Sequence, residues 1–319
     1  MERRETAGGR AGMARAVNGR VPLVLSICSR FGVVVLLCCL ALWTEYLNLK
    51  IGYNNARLVE LSSGVTMRLF YEFSDALFGF FGEPVAAAQA NAGMTWSIRL
   101  FGVPFTDPLA LLSLALQGRV AEVGFVLGAI IPLALALICG RVFCSYICPA
   151  SLLFFSIGRL RRRLGDFFYF PEVGANRGLA WGVLCGGLAL SLAAGHGVWI
   201  LILPYFAMGQ TIFHSIAFGT LSVALFSLIA FALLDLFLGY QFTCRNVCPT
   251  GRLLGRIGSR ALVTVRRDAS ECLDACTACV DVCPFRVNPK LDETRDCSLC
   301  GECAVICPTQ CLTLGRRKK

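Results

Sequence analysis

The chain is 319 residues long, 56% hydrophobic and only 16% charged, with a mean hydropathy of +0.67. That composition excludes a disordered chain and argues against a fully water-soluble globule. The net charge is +10, yet the basic residues flank long apolar runs, so anionic lipid headgroups and topology control explain them better than nucleic acid. Half of the eighteen cysteines lie between Cys272 and Cys311, unlike a scattered disulfide framework. With two histidines and no C-x-x-C-H, a multihaem cytochrome c is excluded.

Residues 1–30 form a basic N-terminus carrying Arg3, Arg4, Arg10, Arg15, Arg20 and Arg30, and the first apolar run covers 31–49. Trp43, Glu45 and Tyr46 stand where a signal peptide needs small residues. The run therefore reads as an uncleaved anchor helix with Trp43 and Tyr46 at the far interface. Residues 50–119 are expected to form an outer loop. Within it, 66–81 places Phe70, Phe73, Leu77 and Phe81 on one helical face, with Arg68, Glu72 and Asp75 opposite. That pattern suits a helix lying in the interface plane, or one packed on the outer ends of a bundle. Residues 83–93 read as a linker, and 109–116 as a re-entrant or interfacial piece too short to span.

Further apolar runs cover 120–140, 179–203 and 212–238, each reaching the roughly 20 residues that a hydrocarbon core of about 30 Å demands. Arg141, Arg159, Arg161, Arg162, Arg163 and Arg177 crowd the connection 141–178, whereas the link near 204–211 is uncharged. Both termini and the middle connection should then face the cytoplasm. An internal repeat is visible: Cys144-Ser-Tyr-Ile-Cys148-Pro149 returns as Cys244-Arg-Asn-Val-Cys248-Pro249 one hundred positions later. Each copy follows an even-numbered span and precedes a short helix suited to the inner surface, the second within 239–262. Two hairpins related as parallel repeats are predicted.

The tail, 263–319, holds the most specific pattern. Cys297-x2-Cys300-x2-Cys303-x3-Cys307-Pro308 matches the bacterial ferredoxin run, whose fourth cysteine serves the other cluster. Upstream, Cys272-x3-Cys276-x2-Cys279-x3-Cys283-Pro284 is the same run with one extra residue. Interleaved pairing assigns Cys272, Cys276, Cys279 and Cys307 to one [4Fe–4S] cluster, and Cys283, Cys297, Cys300 and Cys303 to a second. Zinc, the competing occupant of cysteine quartets, rarely needs this interleaving. Cys311 reads as a small core residue beside a cluster.

Cys144, Cys148, Cys244 and Cys248 should converge at one membrane depth, since i and i+4 share a helical face. A further iron–sulfur cluster, a redox dithiol set, a copper(I) site and structural thiols all remain open for them. Cys28, Cys38, Cys39, Cys139 and Cys185 read as buried packing residues. Asp235, inside the fourth run, is a functional candidate or a salt-bridge partner of Arg141 or Arg245. His196, His214, Asp107 and Asp235 are candidates for a quinone or proton site, with Glu45 a weaker one. Satisfied interfacial histidines and a haem-ligating pair are the alternatives.

Val103-Pro104-Phe105-Thr106-Asp107-Pro108-Leu109, Arg141-Val-Phe-Cys144-Ser-Tyr-Ile-Cys148-Pro149, and Asp235 ahead of the second C-x3-C-P resemble the NapH membrane subunits of periplasmic nitrate reduction systems. The resemblance runs from about Ser97 to the end and extends to MauN-like and NosR-type proteins. It implies quinol oxidation, with electrons passed to a partner iron–sulfur or cytochrome subunit of a respiratory complex. CcoG-type proteins share the cysteine motifs, which makes a metal-handling or maturation factor the alternative, with cupric reduction as its chemistry. A longer segment over 48–91, the extra residue after Cys272, and the expected lack of flanking outer domains depart from one or other of these patterns.

The expected architecture is an all-α polytopic membrane protein with four transmembrane helices and a small α+β two-cluster bacterial-ferredoxin-like C-terminal domain. Its expected place is the bacterial inner membrane, within reach of the quinone pool. A redox sensor or scaffold is the third class of function left open.

Overall fold

Glycine, proline and capping residues set the helix boundaries along this chain. The computed structural model describes residues 2–119, 122–165, 168, 171–174, 176–273, 275–291 and 294–317, and leaves the side chains of 2–19 and Arg177 undescribed. Val120, where the second apolar run begins, lies outside the described residues. The chain is mostly helical. In order come α1 (Glu2–Gly52), α2 (Ala56–Ser63), α3 (Val65–Gly79), α4 (Pro84–Gln89), β1 (Gly93–Met94), β2 (Ser97–Leu100), β3 (Val103–Thr106) and α5 (Pro108–Leu116). Next are α6 (Val123–Cys139), α7 (Val142–Tyr146), α8 (Ala150–Leu164), α9 (Arg177–Ala194), α10 (Trp199–Ile202), α11 (Pro204–Ala217) and α12 (Ala224–Leu238). The C-terminal part holds α13 (Pro249–Ile257), β4 (Val263–Arg267), α14 (Ala278–Asp281), α15 (Glu302–Ile306) and β5 (Leu312–Arg316).

Among the described residues one helical stretch, Arg20–Gly52, is by itself long and apolar enough to cross a membrane; α10 and α11 qualify only jointly, across a 99° bend. α6, the described part of α9 and α12 are apolar but shorter. The expected runs 179–203 and 212–238 are both interrupted. The first stops at Gly195, whose φ of +85° is open to glycine and strained for other residues. The second straddles the end of α11 and the start of α12. Gly219 lies between them at φ +62°, and the Ser222 hydroxyl accepts from the Ala224 amide to start the new helix. Composition counts apolar residues but is blind to such punctuation.

Two compact units divide the chain. One comprises Val34–Pro132 and Leu190–Leu228. Its core gathers Tyr46, Val59, Tyr71, Phe78 and Ala88, with Tyr46 stacked on Phe78 at 5.4 Å. Burying such aromatic rings contributes about 1.5–3 kcal/mol each. The Tyr46 hydroxyl and Lys50 ammonium both donate to Asp75, each at 2.7 Å. Thus α3 packs through Tyr71, Ser74 and Phe78, whereas Phe73 and Phe81, on the expected apolar face, remain 68% exposed. The expected linker at 83–93 instead contains α4: Pro84 at its first turn and three alanines make a helix the cheap conformation. A three-stranded antiparallel sheet, β1-β2-β3, follows, its strands too short to announce themselves in the sequence. Phe101 and Gly102, both at positive φ, make its second hairpin turn.

The other unit comprises Met1–Val33, Leu133–Ala189 and Ile229–Lys319. Here the repeat takes physical form. The Cys148 amide donates to the Phe143 carbonyl and the Cys248 amide to the Thr243 carbonyl, both at 2.8 Å. Each C-x3-C turn is thus closed by the same i to i+5 bond, a hundred residues apart, and a helix starts just after it at Ala150 or Pro249. The C-terminal part is a ferredoxin-like α+β module in which β4 pairs antiparallel with β5, Val265 facing Leu314 and Arg267 facing Leu312.

Cys28 and Cys185 are exposed, not buried as their apolar context suggests. A helix apolar on every side does not reveal by composition which face packs.

Candidate metal centres

The strand pair β4–β5 floors two cavities. The first is lined by Cys272, Cys276, Cys279, Cys307 and Cys311, with Arg267 and Leu312 from the sheet. The second is lined by Cys279, Cys283, Cys297, Cys300 and Cys303, with Val265 and Leu314 from the sheet. Residues 265 and 267 share one strand face, as do 312 and 314, so one short ladder serves both. Leu299 and Gly301 take φ of +59° and +81°, which wraps the Cys297–Cys303 loop around the second cavity and starts α15. At the first cavity the Cys311 sulfur lies 3.5 Å from that of Cys307.

The chemistry of these thiols suits a polynuclear iron site. Burial pushes the Cys300 and Cys303 thiols up, and that of Cys283 to about 11. Several buried thiols ionise together only against a strongly positive core. Among the described residues, no three or more His, Cys, Asp or Glu side chains converge on a single-ion position. One tetrahedral ion with zinc–sulfur bonds of about 2.3 Å would draw its thiolates to about 3.8 Å of one another. A cubane meets each thiolate at a different iron and leaves them farther apart.

A third set of thiols lies in the same unit. Burial is the largest cause of the raised pKa of Cys148 and Cys244, and the neighbouring thiols of Cys144 and Cys248 lie close enough to add to it electrostatically. The buried Arg141 serves this group. Its guanidinium interacts electrostatically with Cys144, donates to the Cys244 carbonyl at 3.1 Å, faces Asp296 at 3.4 Å, and lies 4.1 Å over the Phe285 ring. α13 makes room for it: a Cβ on Gly251 would stand 2.7 Å from Arg141 Nη2 and 3.5 Å from Cys144 Sγ. Between the first two cysteines, the Ser145 hydroxyl donates to Ser298 Oγ at 2.7 Å and the Tyr146 hydroxyl to the Leu299 carbonyl at 3.0 Å. The first C-x3-C turn is thereby clasped to the Cys297–Cys300 loop. From α1, Arg30 donates to the Ser145 carbonyl at 2.6 Å and steadies the same turn.

None of Arg141, Ser145, Tyr146 or Ser298 stands out in the sequence as a site residue. The one available signal is an arginine set between an apolar run and a C-x3-C motif, which reads equally as a topology charge. Asp235 forms no ion pair with Arg141 or Arg245 among the described residues. It accepts from the Thr243 amide at 2.7 Å and so caps the turn that bears Cys244.

In the other unit, Asp107 caps α5 through the Leu109 amide at 2.7 Å and accepts a hydrogen bond from the Tyr205 hydroxyl. Burial raises its pKa. The Trp96 ring stacks on Phe206 at 4.8 Å and approaches His196 at 6.1 Å, and its carbonyl accepts from the Asp107 amide. Among the described residues, the Trp96 indole N–H and the hydroxyls of Thr95 and Thr106 are buried without partners. Asp107 and His196 therefore flank one aromatic group. His214 contacts Phe213 and Phe218 instead, and Asp235 belongs to the other unit.

Helices delivering sets of cysteines around a ferredoxin-like module define an iron–sulfur electron-transfer protein. A family profile described as a 4Fe-4S binding domain matches residues 123–165, which include Cys144 and Cys148. The ferredoxin-type protein NapH of Escherichia coli is 31% identical over 226 residues, 67% of this chain and 76% of its own length. NapH of Haemophilus influenzae is 30% identical over 69% of this chain and 78% of its own. The methylamine utilization ferredoxin-type protein MauN of Methylorubrum extorquens is 29% identical, over 69% and 75%. No solved structure matches. The chain belongs to the NapH/MauN family of ferredoxin-type proteins.

Proposed function

We propose that the protein is a four-pass subunit of the bacterial inner membrane that oxidises quinol and relays electrons to a partner redox protein, with both termini cytoplasmic. Large apolar side chains at Val123, Leu127, Ile130, Leu190, Leu192, Phe226 and Leu233 are exposed along α6, α9 and α12, which suits lipid contact. These helices have 17, 18 and 15 residues. At a rise of 1.5 Å that is about 22–27 Å, a shortfall that thinning and snorkelling arginines absorb.

Three [4Fe–4S] clusters are held in this reading. One is on Cys272, Cys276, Cys279 and Cys307, one on Cys283, Cys297, Cys300 and Cys303, and one on Cys144, Cys148, Cys244 and Cys248. When bound they supply reversible one-electron chemistry with little change of geometry. The observation that carries the relay is the clasp of Ser145 on Ser298 and Tyr146 on Leu299, which joins the protein loops of two thiol sets directly. Arg141 adds a second link, from Cys144 and Cys244 to Asp296, the residue before Cys297. For quinol, the unpartnered Trp96 indole offers a donor to a quinone oxygen, and Asp107, its pKa raised by burial, a proton acceptor.

The test is anaerobic reduction by a quinol analogue, followed by EPR. Cluster signals should appear, and Trp96→Phe or Asp107→Asn should slow them at least tenfold while dithionite still reduces every cluster. Clusters reduced by dithionite but untouched by quinol, alone and with the native partner, refute the reading. Metal handling is the second reading, favoured by the gathering of four soft thiols at the C-x3-C turns. It predicts stoichiometric copper(I) binding that Cys244→Ser abolishes while the tail clusters survive.

A further inference from the structure

α13 sets Arg252 and Arg256 on one side at i, i+4 spacing, and Arg260 ends the turn Gly258–Arg260 that continues it. Arg295, from the loop before Cys297, and Arg317, just after β5, line the same space. Five guanidiniums and the Asp296 carboxylate thus surround an open cleft of about 480 Å³. Asp296 does not neutralise them, because one of its oxygens faces Arg141 at 3.4 Å and the other Arg252 at 3.6 Å. Among the described residues the cleft therefore carries five cations and one anion that is already shared.

Two of the cations are held in place. Arg317 donates to the Ser259 carbonyl at 3.1 Å and to Thr294 Oγ1 at 3.2 Å. Arg252 is anchored on Asp296 while its Nε is buried without an acceptor among the described residues. Like charges fixed around a concavity repel one another and focus a positive field into it, which recruits a multiply charged anion. The recognition group is guanidinium throughout, whose planar fork pairs bidentately with phosphate oxygens. No cysteine lines the space, so the thiol sites do not account for it.

We infer that this cleft binds a diphosphate, two phosphate groups near enough to be gripped together, carried by a lipid headgroup or by a soluble molecule. A bound diphosphate would tie α13, which follows the second C-x3-C turn, to the loop that presents Cys297.

The test uses the full chain with its clusters, purified in detergent. Native mass spectrometry with cardiolipin and with phosphatidylglycerol at equal charge probes the lipid source. Calorimetric titration with inorganic pyrophosphate and with orthophosphate probes the soluble one. At least one diphosphate probe should be held tenfold or more over its monophosphate counterpart. Retention of cardiolipin alone assigns the lipid source, and affinity for pyrophosphate alone the soluble one. The exposed pair Arg256→Gln/Arg260→Gln should weaken the preferred probe at least tenfold, and Arg256→Lys/Arg260→Lys, which keeps charge but not forks, by less. Arg295→Gln, on a different element, should weaken it too, and an unchanged iron content verifies that each variant is folded. Equal affinity for mono- and diphosphates, or glutamine variants that bind like the native chain, overturns the inference. So does a cleft that captures only an acidic protein.

Discussion

Arg141→Gln isolates the contribution of one buried cation to the C-x3-C thiol set. The native guanidinium is 3% exposed, interacts electrostatically with Cys144, donates to the Cys244 carbonyl at 3.1 Å, and faces Asp296 at 3.4 Å. A unit charge about 4 Å from a thiolate, at an effective dielectric near 20, is worth about 4 kcal/mol. The glutamine amide recovers one neutral hydrogen bond, about 1 kcal/mol. Asp296 is not stranded, because Arg252 remains 3.6 Å away and the carboxylate is 20% exposed. The net loss, about 3 kcal/mol, corresponds to roughly a hundredfold weaker hold on iron at this one site.

The assay is iron and acid-labile sulfide counted during anaerobic chelator challenge. Native protein should start near twelve irons per chain, about four for each of three clusters. Arg141→Gln should fall quickly to about eight and then plateau, while the ferredoxin EPR signals persist. Arg141→Lys should fall at an intermediate rate, since an ammonium keeps the charge but cannot span three partners in one plane. If Arg141→Gln loses iron at the native rate, or loses the ferredoxin clusters equally, the role given to this arginine is wrong.

Two further outcomes follow from the same geometry. Gly251→Ala places a methyl 2.7 Å from Arg141 Nη2 and should reproduce the loss of the third cluster without any change of charge, as read by iron count. In apoprotein held folded at neutral pH, alkylation mapped by mass spectrometry should reach Cys307 before Cys283 and Cys300. At Cys307 burial opposes ionisation, but hydrogen bonds from Thr309 and Cys311 outweigh it and lower the pKa, whereas burial raises the other two. Equal labelling of Cys283 and Cys307 would show that this electrostatic difference is absent.

What the sequence shows and what it hides divide along physical lines. Thiol spacing is local, and a loop of two or three residues can close around a cavity in few ways, so each cavity gathers the cysteines that the interleaved pattern groups, with Cys279 lining both and Cys311 added to the first. The C-x3-C repeat was equally legible because the i to i+5 bond that closes it spans only the motif itself. Helix breaks at Gly195 and Gly219 were harder, since an apolar run does not distinguish a continuous helix from two. Strands of two to four residues over 93–106 carry no period to read. The clasp of Ser145 on Ser298 and the reach of Arg141 to Asp296 join positions more than 150 residues apart, and single-sequence spacing holds no information about such pairs.

The first cavity poses the sharpest remaining question, because five thiols line it where a cubane takes four. The extra residue after Cys272 makes that cysteine the natural one to doubt, with Cys311 as its replacement. Distance argues otherwise. The Cys311 sulfur lies 3.5 Å from Cys307, which places it as a hydrogen-bond partner of a ligand and not as a ligand to a separate iron. Burial pushes the Cys311 thiol up to about 11, so it stays protonated and able to donate. Hydrogen bonds to cluster sulfurs raise the reduction potential. One such bond is worth about 1 kcal/mol, and for one electron that is about 40 mV. Cys311→Ala should therefore keep both ferredoxin clusters, lower the midpoint of one by about 40 mV in a redox titration followed by EPR, and leave the other unmoved. Cys272→Ala should lose iron from the first cavity. The reverse pattern, iron lost with Cys311→Ala and kept with Cys272→Ala, would make Cys311 the fourth ligand and leave the extra residue as the reason.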